Sequence, residues 1–198
     1  LTWLQVVLTA PGGSGNPSVP TAAGVVEAME GALAHTKRGT LEGKSVALQG
    51  VGNVGLPLIK FMIEKGVASI EAVDTAQRVA QVRDEVAAAA AAAKHDVTVQ
   101  LFTTEERGDI LEARADIVSP CALGGGLNAE SIPKISPDTI VCGAANNQLK
   151  EPEDAQRVQD AGFTYVPDFV ANRMGIVNCA NEQYGRIGTQ GELKDPAI

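Results

Sequence analysis

Apolar or alternating runs recur along this chain and are separated by longer, more polar segments. Short runs of this kind predict buried strands. They lie at residues 46–48, 70–73, 97–102, 116–119, 139–142 and 164–166. Segments with helical apolar spacing lie between several of them. Strands that alternate with helices in this way predict an α/β fold, with a doubly wound, mostly parallel sheet and helices on both faces.

The same pattern predicts the helices. Thr21 is the expected N-cap of the first one, in which apolar residues recur at helical spacing up to Gly39. Residues 77–94 are rich in alanine, the best helix former, so their small side chains are expected to lie against a sheet or to face water. Further helices are predicted at residues 56–63, 105–115 and 169–184.

The chain before Thr21 has a different character. An apolar run at residues 1–10 is followed by residues 11–18, which contain two prolines and three glycines and are therefore not expected to form regular structure. Two interpretations of residues 11–18 remain open. They form either a flexible linker or a hinge that enters the following domain beside its ligand.

Composition and charge disfavour several classes of partner. Of the 198 residues, 44% are hydrophobic, which is ample for a packed core, and no apolar run reaches the roughly 18 residues of a membrane span. The net charge of −8 disfavours nucleic acids and anionic membranes, which attract basic surfaces. Three widely spaced cysteines predict neither a disulfide framework nor a metal site, and they favour a reducing cytoplasmic location.

A glycine-rich turn follows the first predicted strand. Gly50, Gly52 and Gly55 have the G-x-G-x-x-G spacing of a dinucleotide-binding turn. The first glycine lets the chain turn sharply, the second lets the backbone approach a pyrophosphate, and the third lets the helix pack close to the strand. Free N–H groups at the helix N-terminus then bind the phosphates. A purely structural turn is the alternative, but the flanking strand and helix favour nucleotide binding.

An acidic residue ends the second predicted strand. Asp74 follows Gly50 at close to the spacing of about 20 residues at which an acid accepts hydrogen bonds from the ribose hydroxyls of NAD. A carboxylate at this place repels the 2′-phosphate of NADP. The sequence therefore predicts NAD as the cofactor.

The loops that leave the carboxyl ends of the predicted strands hold the other candidates, because ligands bind there in such sheets. These loops are rich in glycine, alanine and asparagine, which suits close backbone approach and hydrogen bonding to an uncharged ring with a carboxamide. Asn146 and Asn147 either bind such a ligand or cap the next helix. Cys121 is either a small buried residue or a nucleophile. Because no basic partner is near it in sequence, we assign it no catalytic role.

Five stretches, spread in order over residues 13–184, carry a more specific signal. They are Gly13-Ser14-Gly15-Asn16-Pro17-Ser18, Gln49-Gly50-Val51-Gly52-Asn53-Val54, Pro120-Cys121-Ala122-Leu123-Gly124-Gly125, Ala145-Asn146-Asn147-Gln148-Leu149-Lys150 and Tyr165-Val166-Pro167-Asp168-Phe169-Val170-Ala171-Asn172. Together they resemble the glutamate/leucine/phenylalanine/valine dehydrogenase family, and most of all its leucine dehydrogenase branch.

The resemblance implies an enzyme that converts an L-amino acid reversibly to its 2-oxo acid and ammonium, with hydride transfer to NAD. It implies that Thr21 and Asn146 orient the nicotinamide carboxamide, and that Cys121 and Ala122 line the cofactor cleft. The implied cofactor-binding residues are Thr21, Gly50, Gly52, Asn53, Val54, Asp74, Cys121, Ala122, Asn146 and Asn172. The implied substrate-pocket residues are Asn172 and Ile176.

The sequence departs from the family pattern in two ways. The family's catalytic lysine and a proton-handling aspartate belong to an N-terminal substrate domain whose glycine-rich motif is not present in these 198 residues. Lys60 and Lys150 do not match that motif. After Asn172, where the family usually has paired glycines, this chain has Arg173 and Met174, which are expected to crowd the substrate side or to change its charge. Arg173 either meets a substrate carboxylate or faces solvent.

These observations lead to an expected domain organisation. Residues 1–20 are the linker or hinge and the end of a missing substrate domain, residues 21–185 are a dinucleotide-binding Rossmann domain, and residues 186–198 begin a truncated segment. The favoured hypothesis is the NAD-binding domain of an amino acid dehydrogenase that forms homo-oligomers through the missing domain, with no catalytic residue in this chain. The alternative is a stand-alone NAD-binding regulatory or structural module.

Overall fold

The computed structural model describes residues 16–183. The described residues do not include residues 11–15 of the predicted linker or hinge, the apolar run before them or the predicted segment at residues 186–198. None of the helices within residues 16–183 is both long and apolar enough to cross a membrane.

Strands and helices alternate along the described residues. The strands are β1 (Ser45–Gln49), β2 (Ser69–Asp74), β3 (Thr98–Thr103), β4 (Ile117–Pro120), β5 (Ile140–Val141) and β6 (Thr164–Tyr165). The α-helices are α1 (Ser18–His35), α2 (Gly55–Glu64), α3 (Ala76–Ala91), α4 (Thr104–Arg107), α5 (Asp154–Ala161), α6 (Asp168–Ala171) and α7 (Met174–Gln183). Two 3₁₀ turns lie at Ile110–Glu112 and Ile132–Lys134.

The six strands form one parallel sheet in the order β3-β2-β1-β4-β5-β6. This confirms the predicted doubly wound α/β fold. β1 is a central strand of the sheet. β2 and β3 follow on one side of β1, and β4 then lies on its other side. The strand order therefore reverses between β1 and β4, and a crevice opens there outside the carboxyl ends of the strands.

Alternate residues of the central strand enter different layers of the core. Val46 and Leu48 of β1 pack with α1, α2 and α3 on one face, whereas Ala47 packs on the other face with the two 3₁₀ turns and α5. The side chains of a strand point alternately to the two faces, so a strand buried on both sides is apolar throughout. This double burial explains the continuous apolar run at the start of β1.

The prediction that Thr21 caps the first helix is wrong. Helix α1 begins at Ser18, and Thr21 lies inside its first turns, where its hydroxyl donates to the Pro17 carbonyl at 2.8 Å. The helix begins earlier because Pro17 already has a helical φ of −67° and the Asn16 side chain accepts a hydrogen bond from the Ser18 N–H.

Two predicted helices are interrupted. The helix predicted at residues 105–115 is only α4 followed by a 3₁₀ turn, because Gly108 has a φ of +70° and ends α4. The helix predicted at residues 169–184 is divided into α6 and α7, which are separated at Asn172. This division gives Asn172 a place at the end of a short helix, facing the crevice loops.

Candidate functional site

The glycine turn after β1 is packed tightly at its first and third glycines. Gly50 has a φ of +95°, and a Cβ atom there would lie 3.1 Å from Ala122 Cβ and from the Cys121 carbonyl carbon. A Cβ atom on Gly55 would clash with the Gly50 carbonyl. The first glycine therefore provides a turn that other residues rarely adopt, and the third lets α2 begin against the end of β1.

The second glycine faces open space. A Cβ atom on Gly52 would meet no other atom within 4 Å. Beside it, the N–H groups of Gly52, Asn53 and Val54 donate no hydrogen bond to any residue that the structure describes. These N–H groups precede the first turn of α2, where the helix dipole favours an anion. The turn thus combines free donors with empty space, which is what a bound pyrophosphate requires.

Asp74 lies at the end of β2 and is bound to the glycine turn. Its Oδ2 accepts from the Val51 N–H at 2.7 Å, and its Oδ1 accepts from the Thr75 N–H at 2.7 Å. Arg78 Nε donates to the Val51 carbonyl at 2.9 Å. Both sides of Val51 are therefore fixed by residues at the β2–α3 junction. The contribution of Arg78 was not predicted, because no pattern in the sequence marks it.

Cys121 is the first residue of the β4 loop, the segment that follows β4. Cys121 Sγ accepts from the Ala144 N–H at 3.3 Å and lies 3.5 Å from Ser119 Oγ. Burial raises the pKa of the Cys121 thiol, so the thiol stays protonated at neutral pH and is a poor nucleophile. A protonated thiol of this kind favours the interpretation of Cys121 as a small buried residue over that of a nucleophile.

Two asparagine side chains bind each other across the crevice. Asn172 Nδ2 donates to Asn146 Oδ1 at 2.7 Å and to the Ala144 carbonyl at 3.2 Å. The alternative in which Asn146 and Asn147 cap the next helix is wrong, because α5 begins only at Asp154. Asn146 is exposed at the carboxyl edge of the sheet and is available to a ligand.

A buried amide side chain supports the β5 loop, the segment that follows β5. This side chain was not assigned a role from the sequence. Gln148 is 1% exposed, and its Nε2 donates to the carbonyls of Gly143 and Ala145 at 2.9 and 3.0 Å. Each of these carbonyls would otherwise lose a partner in a buried setting. Gln148 lies within one of the family-like stretches, but only the structure shows what it binds.

Replacing Gln148 by leucine is expected to lower the free energy of unfolding by about 2 kcal/mol, because two buried carbonyls lose their donor. Chemical denaturation monitored by circular dichroism measures this loss. The matched control is Gln156→Leu on α5, where Gln156 is exposed and donates to Asp160. We expect the control to change stability by less than about 0.5 kcal/mol. Equal effects of both variants would contradict the supporting role of Gln148.

Helices α1 and α7 pack through two small residues. A Cβ atom on Gly24 would lie 2.5 Å from Met174 Cγ, and one on Gly175 would clash with Thr21 Oγ1. Met174 therefore fills the contact with α1 instead of crowding the crevice. Arg173 is exposed, and Ile176 is 74% exposed. The structure thus shows that the Met174 side chain packs against α1. Arg173 and Ile176 remain on the accessible surface.

The structure places the predicted site residues as three connected groups along the carboxyl edge of the sheet. Gly50 contacts the β4 loop, Asp74 binds the glycine turn, and Asn172 binds the β5 loop. The Thr21 hydroxyl of α1 lies against Gly175 of α7. The side chain of Ile176 is exposed on α7. Within residues 16–183, no cluster of three metal-ligating side chains is found.

A glycine turn at the crevice of a six-stranded parallel sheet defines the class of this protein as a Rossmann-type α/β domain. The chain belongs to the glutamate/leucine/phenylalanine/valine dehydrogenase family, whose model matches residues 12–187. The resemblance inferred from the five stretches of sequence is thereby confirmed.

Individual relatives agree with this assignment. Leucine dehydrogenase of Geobacillus stearothermophilus is 38% identical over 175 residues, covering 88% of this chain and 44% of the relative. Phenylalanine dehydrogenase of Lysinibacillus sphaericus is 34% identical and covers 88% of this chain and 43% of its own length. The structure of L-tryptophan dehydrogenase from Nostoc punctiforme superposes with a TM-score of 0.70 at 32% identity, covering 86% of this chain and 48% of that one. The chain thus spans less than half the length of these relatives.

Proposed function

We propose that this chain is the cofactor-binding part of an NAD-dependent amino acid dehydrogenase, which converts an L-amino acid reversibly to its 2-oxo acid and ammonium. The observation that carries the proposal is the glycine turn beside Asp74: its N–H groups at residues 52–54 donate to no described residue, and a Cβ atom on Gly52 would meet open space. Bound NAD supplies the acceptor for the hydride that leaves the substrate's α-carbon.

The residues of the crevice take distinct parts in this proposal. The turn at residues 50–54 binds the pyrophosphate, and Asp74 accepts hydrogen bonds from the adenosine ribose. Cys121 and Ala122 line the cleft where Gly50 meets the β4 loop. Thr21 and Asn146 orient the carboxamide of the nicotinamide. The carboxylate of Asp74 favours NAD over NADP, because it repels a 2′-phosphate.

The hydrogen bond between the two asparagines leaves particular atoms for the ligands. Asn172 Nδ2 is engaged with Asn146 Oδ1. Asn146 Nδ2 is therefore the donor that can bind a carboxamide oxygen, and Asn172 Oδ1 is the acceptor that can bind an amide or amine N–H. This division agrees with Asn146 facing the nicotinamide and Asn172 facing both the nicotinamide and the substrate.

The substrate of the proposed enzyme is an amino acid with an apolar side chain. The relatives reported above are named for leucine, phenylalanine and tryptophan, and Ile176 offers an exposed apolar side chain on the first turn of α7. We assign no residue of these 198 to the polarisation of the substrate carbonyl. The catalytic lysine and the contacts of a homo-oligomer belong, in this proposal, to the part of the relatives that this chain does not match.

The 198-residue chain is expected to bind NADH and to show no turnover of amino acids. Isothermal titration calorimetry measures the binding, and absorbance at the NADH band measures turnover with leucine, valine, phenylalanine and tryptophan. Calorimetry is preferable to energy transfer from tryptophan, because Trp3 is the sole tryptophan and precedes the predicted hinge.

A pair of valine variants provides the control for NADH binding. Gly52→Val fills the open space of the turn and is expected to abolish NADH binding while leaving the fold intact. Gly31→Val makes the same change on α1, where a Cβ atom also meets nothing within 4 Å, and is expected to bind NADH normally. A folded wild-type chain that does not bind NADH would contradict the cofactor proposal.

A further inference from the structure

We propose that Asp168 is a positioning residue for the nicotinamide half of the cofactor, because it holds the backbone of the β5 loop that presents Asn146. This inference rests on the proposed function and deepens it. Asp168 belongs to none of the positions implied as cofactor or substrate contacts, and it acts through its neighbours in the β5 loop.

The first step of the argument is the conformation of Asn147. Asn147 has a φ of +52°, in the left-handed region that residues other than glycine adopt rarely, although asparagine tolerates it best. Such a conformation costs free energy and persists only where the surroundings hold it. The backbone next to Asn146 therefore needs support from other parts of the chain.

Two neighbouring segments, the start of α6 and the β4 loop, supply that support. The Asn147 N–H donates to Asp168 Oδ2 at 2.6 Å, and the Asn147 carbonyl accepts from the Gly125 N–H at 2.7 Å. Hydrogen bonds to a carboxylate are about twice as strong as neutral ones. The peptide group that joins Asn146 to Asn147 is thus fixed on its N–H side by the Asp168 carboxylate.

The second step is the spacing of Asp168 and Asn172. Asp168 begins α6, and Asn172 is the residue at its C-terminal end, so the two lie one helical turn apart and on the same side. Asp168 binds the backbone of Asn147, while Asn172 binds the side chain of Asn146. One short helix therefore attaches to the β5 loop at two points and orients both the main chain and the amide of Asn146.

The third step is the absence of a competing ion pair. No lysine or arginine within residues 16–183 forms an ion pair with Asp168. Its carboxylate is committed to the Asn147 N–H and is not part of a surface charge network. Loss of the carboxylate should therefore affect the nicotinamide end of the crevice and leave the Asp74 end, in the glycine turn, unchanged.

Calorimetric titration of the chain with NAD and with ADP-ribose, which lacks the nicotinamide, tests the inference. Asp168→Ala is expected to weaken NAD binding about tenfold, the equivalent of one lost hydrogen bond to a charged group, and to leave ADP-ribose binding within about twofold of wild type. Asp168→Asn retains an acceptor oxygen, but a neutral one that makes a weaker hydrogen bond than the carboxylate, so it is expected to reduce the loss of NAD affinity to about threefold without removing it. Asp160→Ala removes an exposed carboxylate from α5 and should change neither affinity.

The possible results separate this inference from the function on which it rests. If Asp168→Ala weakens both ligands equally, or neither, Asp168 has no specific role at the nicotinamide, and the cofactor site itself still stands. If the folded wild-type chain binds neither ligand, the proposed function fails and the inference fails with it. If Asp168→Ala does not fold, Asp168→Asn decides: an unchanged ratio of NAD to ADP-ribose affinity together with unchanged stability overturns the inference.

Discussion

Replacing Gly55 by alanine is expected to lower the free energy of unfolding by about 3 kcal/mol, at the upper end of the usual cost of overpacking a core. The added Cβ would clash with the Gly50 carbonyl and would lie 2.9 Å from the Gly50 carbonyl carbon. Neither atom can yield without moving the glycine turn, because the Gly50 N–H is bound to the Val73 carbonyl at 2.8 Å. We therefore expect the variant to lose dinucleotide binding along with stability.

The matched control for this experiment is Gly31→Ala. Gly31 lies in α1, where an added Cβ meets nothing within 4 Å, so the helix propensity of alanine is expected to raise stability by up to about 1 kcal/mol. Urea denaturation of both variants and the wild type measures the difference. If Gly55→Ala is as stable as Gly31→Ala, the close packing of α2 on β1 is not required, and the interpretation of the third glycine is wrong.

The second large effect is expected at Asp74. Replacing Asp74 by serine should weaken NAD binding by about 10- to 100-fold, which corresponds to the loss of a hydrogen bond to a charged group. NADP binding should weaken less, because the same change removes a negative charge that repels the 2′-phosphate. The ratio of the two dissociation constants, measured by calorimetry, is therefore expected to shift toward NADP.

The role of Asp74 in the glycine turn requires its own control. Asp74 Oδ2 also accepts from the Val51 N–H, so serine removes a support of the turn as well as the proposed ribose contact. Asp74→Asn keeps an acceptor for Val51 but loses the negative charge. We expect Asp74→Asn to keep wild-type stability and still to shift the ratio toward NADP. An unchanged ratio in both variants would count against the proposed ribose contact.

The predicted layout of the fold follows from patterns that are local in sequence. Apolar runs such as residues 46–48 are buried strands because both faces of the sheet are covered, and the glycine spacing places Gly50, Gly52 and Gly55 in one turn. The predictions failed where a single residue changed the local backbone. Gly108 ended a predicted helix, and Pro17 started one early.

The parts of the site that were not predicted depend on contacts between distant segments. Arg78 binds the Val51 carbonyl, and Asp168 binds the Asn147 N–H. Each is an ordinary polar residue in the sequence. Its role is visible only when the chain has brought its partner within hydrogen-bonding distance.

The packing of α7 shows the same limit. From the sequence, Met174 looks like a residue that crowds a substrate pocket, whereas in the structure its side chain lies against Gly24 of α1. No periodicity connects residues so far apart in the chain. Gly24 has no side chain and so leaves room on α1 for the large side chain of Met174. Only the folded chain shows this pairing.

The sequence by itself determined the α/β class, the glycine turn after β1, the acid at the end of β2 and the dehydrogenase family. These features are encoded by spacing along one strand, one turn or one motif, so they can be recognised without distances. The tertiary structure decided which groups hold the crevice loops in place, because those hydrogen bonds join loops that the sheet brings together at its carboxyl edge. Asp168 and Asn172, one helical turn apart on α6, are the clearest example.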